Sequence, residues 1–236
     1  MPPPSPLTLI VATTRALGIG HNGALPWPPI KQEMAYFARV TKRSPPSSSS
    51  SNEQSKSKKC INAVVMGRKT WESIPERFRP LKGRVNVVVS RHPEALGFSK
   101  DGNTTGSDAK EAGEEPPMAV SSLEDALSTL QSRYSPSSST NSLQLGRVFI
   151  IGGAQIYAQS LKLPSCQRVL LTRMKKDYEC DTFLPELEVL GRENGGWVLR
   201  REEDRDEWIG EKLGEKGGGG QEWKVEMWEK EAVIGG

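Results

Sequence analysis

No stretch of 18 consecutive apolar residues occurs in the 236-residue sequence, which excludes a membrane-spanning helix. Cysteine is scarce: Cys60, Cys166 and Cys180 lack C-x-x-C spacing, and an odd set cannot pair completely. Neither a disulfide scaffold nor a zinc site is expected. Two histidines, His21 and His92, leave little material for metal ligation, so no metal is expected. Met1-Pro2-Pro3-Pro4-Ser5-Pro6 leads into one short apolar run without a positively charged start, which argues against a secretory signal. No Lys/Arg tract is interleaved with aromatics, so nucleic acid is not an expected partner. These absences predict a reduced, cytoplasmic, soluble protein.

At 35% hydrophobic and 26% charged residues, the length suits one large domain or two small ones. The net charge of +3 hides an asymmetry. Residues 1–185 hold 24 Lys+Arg against 15 Asp+Glu, and residues 186–236 hold 8 against 14. A basic front part can attract anionic ligands, although ordinary surface charge accounts for it equally well.

Four segments read as inserted loops: residues 44–59, with eight serines in sixteen positions, 97–117, 134–146, and 209–221 around Gly217 to Gly220. Such compositions cannot bury a core. Between them lie short β-branched runs at residues 7–14, 62–66, 85–89, 148–151 and 168–172, with a weaker one at 118–121. Continuous apolar runs of this length suit strands of a parallel sheet buried on both faces. Helical stretches alternate with them at residues 30–41, 68–73, 123–132 and 154–161. The expectation is an α/β fold, a single domain with a mostly parallel twisted sheet and helices on both faces. In the tail, Trp223, Val225 and Met227 alternate with Lys224, Glu226 and Trp228. They predict an antiparallel C-terminal edge strand paired with residues 197–202.

Several features could carry chemistry. Gly18-Ile19-Gly20-His21-Asn22-Gly23 fits G-x-G-x-x-G, but Pro26, Pro28 and Pro29 follow and no helix can open there. A flexible loop that closes over a ligand is the better reading. Its apolar tip, Leu25-Pro26-Trp27, needs a surface to pack on. Gly152-Gly153 follows an apolar run and precedes a helix at Ala154, and Gly67 repeats the arrangement before Arg68-Lys69-Thr70. Ser90-Arg91 ends a third strand. In open α/β sheets ligands bind beyond the carboxyl ends of strands, and helix N-termini attract phosphate. Each feature alone is equally well structural; together they suggest a nucleotide with more than one phosphate, Arg68 and Arg91 clamping a terminal phosphomonoester. Finally, Ile30, Met34, Phe37 and Thr41 fall within ~60° on a helical wheel, and Glu33 flanks this stripe. A solvated Glu33 is the bland alternative. If buried, its pKa rises, and it suits proton chemistry or accepts paired N–H donors from a heterocycle. No paired nucleophile stands out, which disfavours a covalent hydrolase.

These residues resemble dihydrofolate reductase of the eukaryotic type. The resemblance rests on Val11-Ala12, residues 18–29, Glu33 and Phe37, then Val65-Met66-Gly67-Arg68-Lys69-Thr70-Trp71, Ser73-Ile74-Pro75 and Arg79 to Arg84. It continues through Val89-Ser90-Arg91, Ile151-Gly152-Gly153 with Ile156-Tyr157, Leu171-Thr172-Arg173 and Asp181 to Pro185. Each motif is short, but their order and spacing together are specific, over more than half of the chain. The serine-rich insertions suggest a fungal source.

The resemblance implies NADPH-dependent reduction of dihydrofolate to tetrahydrofolate, which feeds one-carbon metabolism and nucleotide synthesis. It implies that Glu33 accepts the pterin N–H groups and supports ring protonation through a water near Trp27, with Leu25 close by. It has Thr172 hydrogen-bond Glu33. Ile10, Val11, Leu25, Met34, Phe37, Ile74 and Ile151 supply apolar walls, with Ser73, Pro75 and Tyr157 also lining the substrate. Arg84 pairs with the α-carboxylate of the glutamate tail, and Leu81 packs on the aminobenzoyl ring. For NADPH, Ala12, Ile19 and Gly20 line the nicotinamide side, which Tyr157 borders, and Thr70 with Gly152 and Gly153 holds the pyrophosphate. Gly18, Gly23, Ala24, Gly67, Lys69, Ala154, Gln155 and Ile156 also belong to the cofactor site. Arg68, Ser90 and Arg91 serve the 2′-phosphate. Antifolate inhibitors are expected in the same pocket, and a monomer is implied. Met34 departs from the aromatic residue of many animal relatives, Glu33 from the Asp of bacterial ones, and Arg68 from the Lys of some. The alternatives are a pyrimidine reductase of the same fold, which has no need of the Glu33, Trp27 and Arg84 combination, and a non-catalytic nucleotide-binding module.

Overall fold

The structure is a computed structural model, and it describes residues 6–44, 59–98, 115–135, 142–185, 196–213 and 222–231. Along the chain run β1 (Leu7–Thr13), β2 (Gly18–Gly20), α1 (Lys31–Lys42), β3 (Lys59–Gly67), α2 (Arg68–Ser73), β4 (Arg84–Val89), β5 (Met118–Val120), α3 (Leu123–Arg133), β6 (Leu143–Ile150), α4 (Ala154–Lys162), β7 (Cys166–Met174), β8 (Thr182–Phe183), β9 (Trp197–Leu199), α5 (Glu202–Ile209) and β10 (Trp223–Lys230). The residues group into two compact units, Thr41–Phe149 and Pro6–Val40 with Ile150–Gly236. No described helix is long and apolar enough to cross a membrane.

In the unit Thr41–Phe149 the strands stand in the order β5-β4-β3-β6. β4 runs parallel to both β3 and β5. Ala63 to Met66, Val85, Val87 and Val88 are fully buried, the pattern that the unbroken apolar runs predict. Asn86 and Asn62 are buried among them and satisfied. Asn86 bonds the backbone of Leu81 and Arg84, and Asn62 bonds that of Thr41, Arg43 and Arg147. α3 begins where the Ser122 hydroxyl accepts the Asp125 N–H at 3.0 Å, with Glu124 and Asp125 in its first turn, a favourable start for a helix.

In the second unit β1 is parallel to β7, β10 is antiparallel to β7, and β9 is antiparallel to β10. The α/β class, the parallel strands and the antiparallel C-terminal pairing are those expected. α5 was not. Glu202, Glu203 and Asp204 fill its first turn and Gly210 closes it at φ 74°, an electrostatically favoured start and a left-handed stop. Residues 200–202, expected in the strand paired with 223–228, therefore leave it after Leu199. The insertion limits also move. Tyr134, Ile209 and Leu213 are buried and β6 begins at Leu143, so the outer parts of 134–146 and 209–221 belong to the folded units. The cores of the four expected insertions lie outside the described residues.

Candidate active site

The acid comes first. α1 buries Tyr36, Val40 and Thr41, while Glu33 and Phe37 are half-buried. The inward stripe is therefore 33-36-37-40-41; it keeps Phe37 and Thr41 of the expected 30-34-37-41 and turns toward Tyr36 and Val40. Met34 is 45% exposed, so it is surface open to a ligand and no part of the core. Glu33 sits in the stripe itself, and burial pushes its carboxyl up to about 7. Leu25 is likewise 56% exposed, whereas Trp27 is buried and its ring lies 5.8 Å from that of Tyr178.

The same unit also supplies apolar and glycine surfaces. Ile10 and Val11 are buried in β1, and the Tyr157 hydroxyl donates to the Ile10 carbonyl at 2.9 Å. Ala12 and Ile151 are half-buried. Gly152 has φ 114°, and a Cβ there would lie 3.2 Å from the Tyr157 ring. That position therefore demands glycine, both for its backbone and for space. Gly153 precedes α4 without a side-chain cap, so the first N–H groups of α4, from Ala154, Gln155 and Ile156, remain available to an anion. Thr172 is buried in β7 opposite Ala12 and Val225. The expected Thr172–Glu33 hydrogen bond is not formed among the described residues.

The glycine loop is more ordered than expected. Gly18–Gly20 form β2, paired with β8, and residues 21–24 close a tight turn. His21 and Ala24 exchange two backbone bonds at 3.0 Å, with Asn22 at φ 50° and Gly23 at φ 77°. Two successive left-handed residues make the turn that joins antiparallel strands. The Asp181 carboxylate accepts the Asn22 N–H at 2.7 Å and the Thr182 hydroxyl at 2.8 Å, which hold it below the usual carboxylate range. Gly18 is boxed in by Cys180 and Thr14, so a Cβ has no room there. Ile19 and Gly20 are half-buried, and Gly23 and Ala24 are exposed.

The unit Thr41–Phe149 holds the remaining predicted residues. Gly67 is in ordinary extended backbone and precedes α2. Arg68 is on the surface, paired with Glu72 at 2.7 Å. Lys69 is exposed, Thr70 half-buried, and the Thr70 carbonyl accepts the Ser73 hydroxyl at 2.7 Å. Ile74 and Leu81 are half-buried, and Ser73 and Pro75 exposed. Ser90 is buried, its hydroxyl accepting the His92 N–H, and Arg91 is exposed. Arg84 is 5% exposed, donates to the Thr41 hydroxyl at 2.7 Å, and has its pKa brought down to about 10 by burial. With Pro80, Leu81, Lys82 and Asn86 it lines a small pocket.

Two features escaped sequence reading. Asn22-Gly23 is a strong hairpin signal hidden inside a glycine motif, and Asp181 lies 159 positions away from the Asn22 N–H it holds. Tyr36 escaped because its ring is apolar while its hydroxyl is polar.

The family model described as "Dihydrofolate reductase" matches residues 52–207. The chain is 39% identical to dihydrofolate reductase of Pneumocystis carinii, over 95% of this chain and 97% of that one. It is 37% identical to the Cryptococcus neoformans protein of the same name over 94% and 93%, and 36% to that of Mus musculus over 78% and 81%. Among solved structures, Schistosoma mansoni dihydrofolate reductase matches with a TM-score of 0.60 and 29% identity, covering 97% of this chain and 100% of that one. Motif order, fold and relatives agree: the chain belongs to the dihydrofolate reductase family.

Proposed function

We propose that the protein reduces 7,8-dihydrofolate to 5,6,7,8-tetrahydrofolate with NADPH, and that Glu33 assists protonation of the pterin ring. The observation that carries this reading is the burial of Glu33 in the inward stripe of α1, which leaves its carboxyl titrating at about 7. A carboxyl so tuned holds or releases a proton near neutral pH, as general acid–base work requires. Its two oxygens also match the paired N–H donors of a pterin. Trp27, buried nearby in sequence and ring-packed on Tyr178, gives the proton relay a fixed wall. Ile10, Val11, Phe37 and Ile151 give the ring apolar contact, and Leu25 and Met34 add exposed apolar surface that a ligand would cover.

Arg84 is assigned to the α-carboxylate of the glutamate tail. Burial makes its positive charge costly, and a carboxylate offsets that cost through a two-pronged guanidinium bond. Leu81, Ile74, Ser73 and Pro75 flank this assignment.

The residues present suit NADPH. The uncapped start of α4 behind Gly152-Gly153 fits a diphosphate, and Gly67, Lys69 and Thr70 add donors. Arg68, Arg91 and Ser90 suit a 2′-phosphate, which favours NADPH over NADH. When bound, NADPH supplies the hydride. Ala12, Gly18, Ile19, Gly20 and Tyr157 would flank its nicotinamide, and the Asn22-Gly23 turn, held by Asp181, would keep water out. The chain is read as a single domain of this family and a cytoplasmic monomer, with antifolates bound where dihydrofolate binds.

The test is NADPH oxidation on addition of dihydrofolate. Turnover is expected from the wild type, and Glu33→Gln should lose at least ~100-fold near neutral pH with NADPH affinity nearly unchanged. Folded protein without turnover would overturn the reading. Comparable rates for Glu33→Gln would remove the proton role.

A further inference from the structure

α5 is not covered by the reading above, and its attachments converge on α1. Arg205 is buried and donates to the Val225 carbonyl at 2.8 Å, while Asp206 holds its guanidinium at 2.7 and 2.9 Å. Behind the helix, the N–H groups of Gly210 and Glu211 return to the Asp206 carbonyl, and that of Leu213 to the Asp206 carboxylate. These bonds fix residues 210–213, the segment that carries Glu211. The Glu211 carboxylate takes three bonds from Arg39 of α1, at 3.0, 3.2 and 3.2 Å.

Arg39 lies six residues beyond Glu33, about 9 Å along the helix. Between them Tyr36 is fully buried, its ring 5.8 Å from that of Trp223 on β10. The charges of Arg205, Glu33, Glu211 and Arg39 all act on its phenol. The Tyr36 hydroxyl and the Trp223 Nε1 are buried without a hydrogen-bond partner among the described residues. The two unsatisfied donors cost stability at this contact, and neither gives α1 a directed bond there. The outer tie is the one with directed geometry.

We propose that the Arg39–Glu211 pair is a positioning device, by which α5 seats α1 and so sets how deeply Glu33 is buried. The inference rests on the role given to Glu33 under the proposed function, and it adds a part of the chain to which that function assigns no residue. Among the described residues, the titratable groups coupled to Glu33 are Tyr36 on its own helix and Tyr157 from α4. Neither ionises near neutral pH, so a change in Glu33 titration reports either its hydration or the direct charge of the Arg39–Glu211 pair, which the variants below separate.

The experiment follows the Glu33 carboxyl by ¹³C NMR, assigned with Glu33→Gln, in parallel with the pH profile of kcat/KM for dihydrofolate. Four proteins are compared: Glu211→Gln, Arg39→Gln, the mild Arg39→Lys, and the swap Arg39→Glu with Glu211→Arg. If the pair positions α1, the three single variants lower the Glu33 midpoint by about half a pH unit, the scale of a half-exposed ion pair. The swap restores it. A direct charge effect predicts something different: Glu211→Gln lowers the midpoint, Arg39→Gln raises it and Arg39→Lys leaves it alone. That pattern, no shift at all, or failure of the swap would overturn the proposal. If the NMR midpoint moves while the kcat/KM profile stays fixed, the positioning stands and the proton role of Glu33 falls.

Discussion

The raised Glu33 titration makes a prediction about stability that needs no substrate. In the unfolded chain this carboxyl titrates near 4.5, and in the folded protein near 7. Between those values the folded state binds the extra proton, so stability falls as pH rises. The stability contributed by the protonated acid is fully present below about 4.5 and lost as pH passes through about 7. The gap is 2.5 pH units, and at ~1.4 kcal/mol per unit the loss approaches about 3.5 kcal/mol, an upper bound because the group is half-buried. Glu33→Gln keeps the shape of the protonated acid and cannot ionise. Its stability relative to wild type should be near zero at pH 4 and should climb to at most about 3.5 kcal/mol in favour of the variant by pH 8. Urea unfolding of both proteins at half-unit steps from pH 4 to 8.5 measures the difference, in which all other titrations cancel. A flat difference, or a variant that becomes relatively less stable as pH rises, would refute the claim that the acid is held in apolar surroundings.

Three further outcomes follow from single positions. Arg84→Ala should raise KM for dihydrofolate by about tenfold or more, the scale of a lost charge-assisted bond. It should leave a pterin without the glutamate tail almost unaffected, and equal effects on both would remove the tail assignment. Gly152→Ala should cost about 1–3 kcal/mol in urea unfolding, because φ 114° is foreign to alanine and its Cβ would meet the Tyr157 ring at 3.2 Å. A neutral substitution would show that this turn relaxes freely. Arg91→Ala should weaken NADPH binding and leave NADH binding unchanged in calorimetric titration, while parallel losses for both would unseat the 2′-phosphate role.

Sequence reading succeeded where burial alone decides. The runs at 85–89 and 168–172 had to be buried strands, since Val85 with Val87 to Val89, and Val169 to Leu171, leave no continuous polar face to offer water. It did less well where polar residues start an element. β3 begins at Lys59-Cys60 and β6 at Leu143-Gln144, because ladder hydrogen bonds extend a strand past its apolar centre. α5 was invisible to periodicity for a related reason. Its Glu202 to Glu207 stretch is charged all round, and only Arg205 and Ile209 are buried, so end charges and Gly210 account for a helix that hydrophobic spacing does not mark. On α1 the error was one of rotation. Counting Met34 as core and passing over Tyr36 turns the stripe away from Glu33, which the structure places within the inward stripe. The link from Asp181 to Asn22 had no local signal, since it joins residues far apart in the chain.

The features that pattern could not supply have a common energetic character. Glu33 and Arg84 are charges whose titration burial has moved toward the neutral form. Gly152 occupies a backbone region closed to other residues, and the Tyr36 and Trp223 donors are buried without partners. Each lowers stability, whereas the parallel strands of both units raise it. A fold can carry such costs only when surrounding contacts over-determine the geometry, and here the surplus comes from β1, β3, β4 and β7, whose centres are fully buried. Those strands tolerate apolar exchange of similar volume. The costly positions do not, because what they hold is a protonation state or a backbone shape that no other residue supplies. Stability that rises on removing an acid, as expected for Glu33→Gln, is therefore the signature that separates a residue kept for chemistry from one kept for packing.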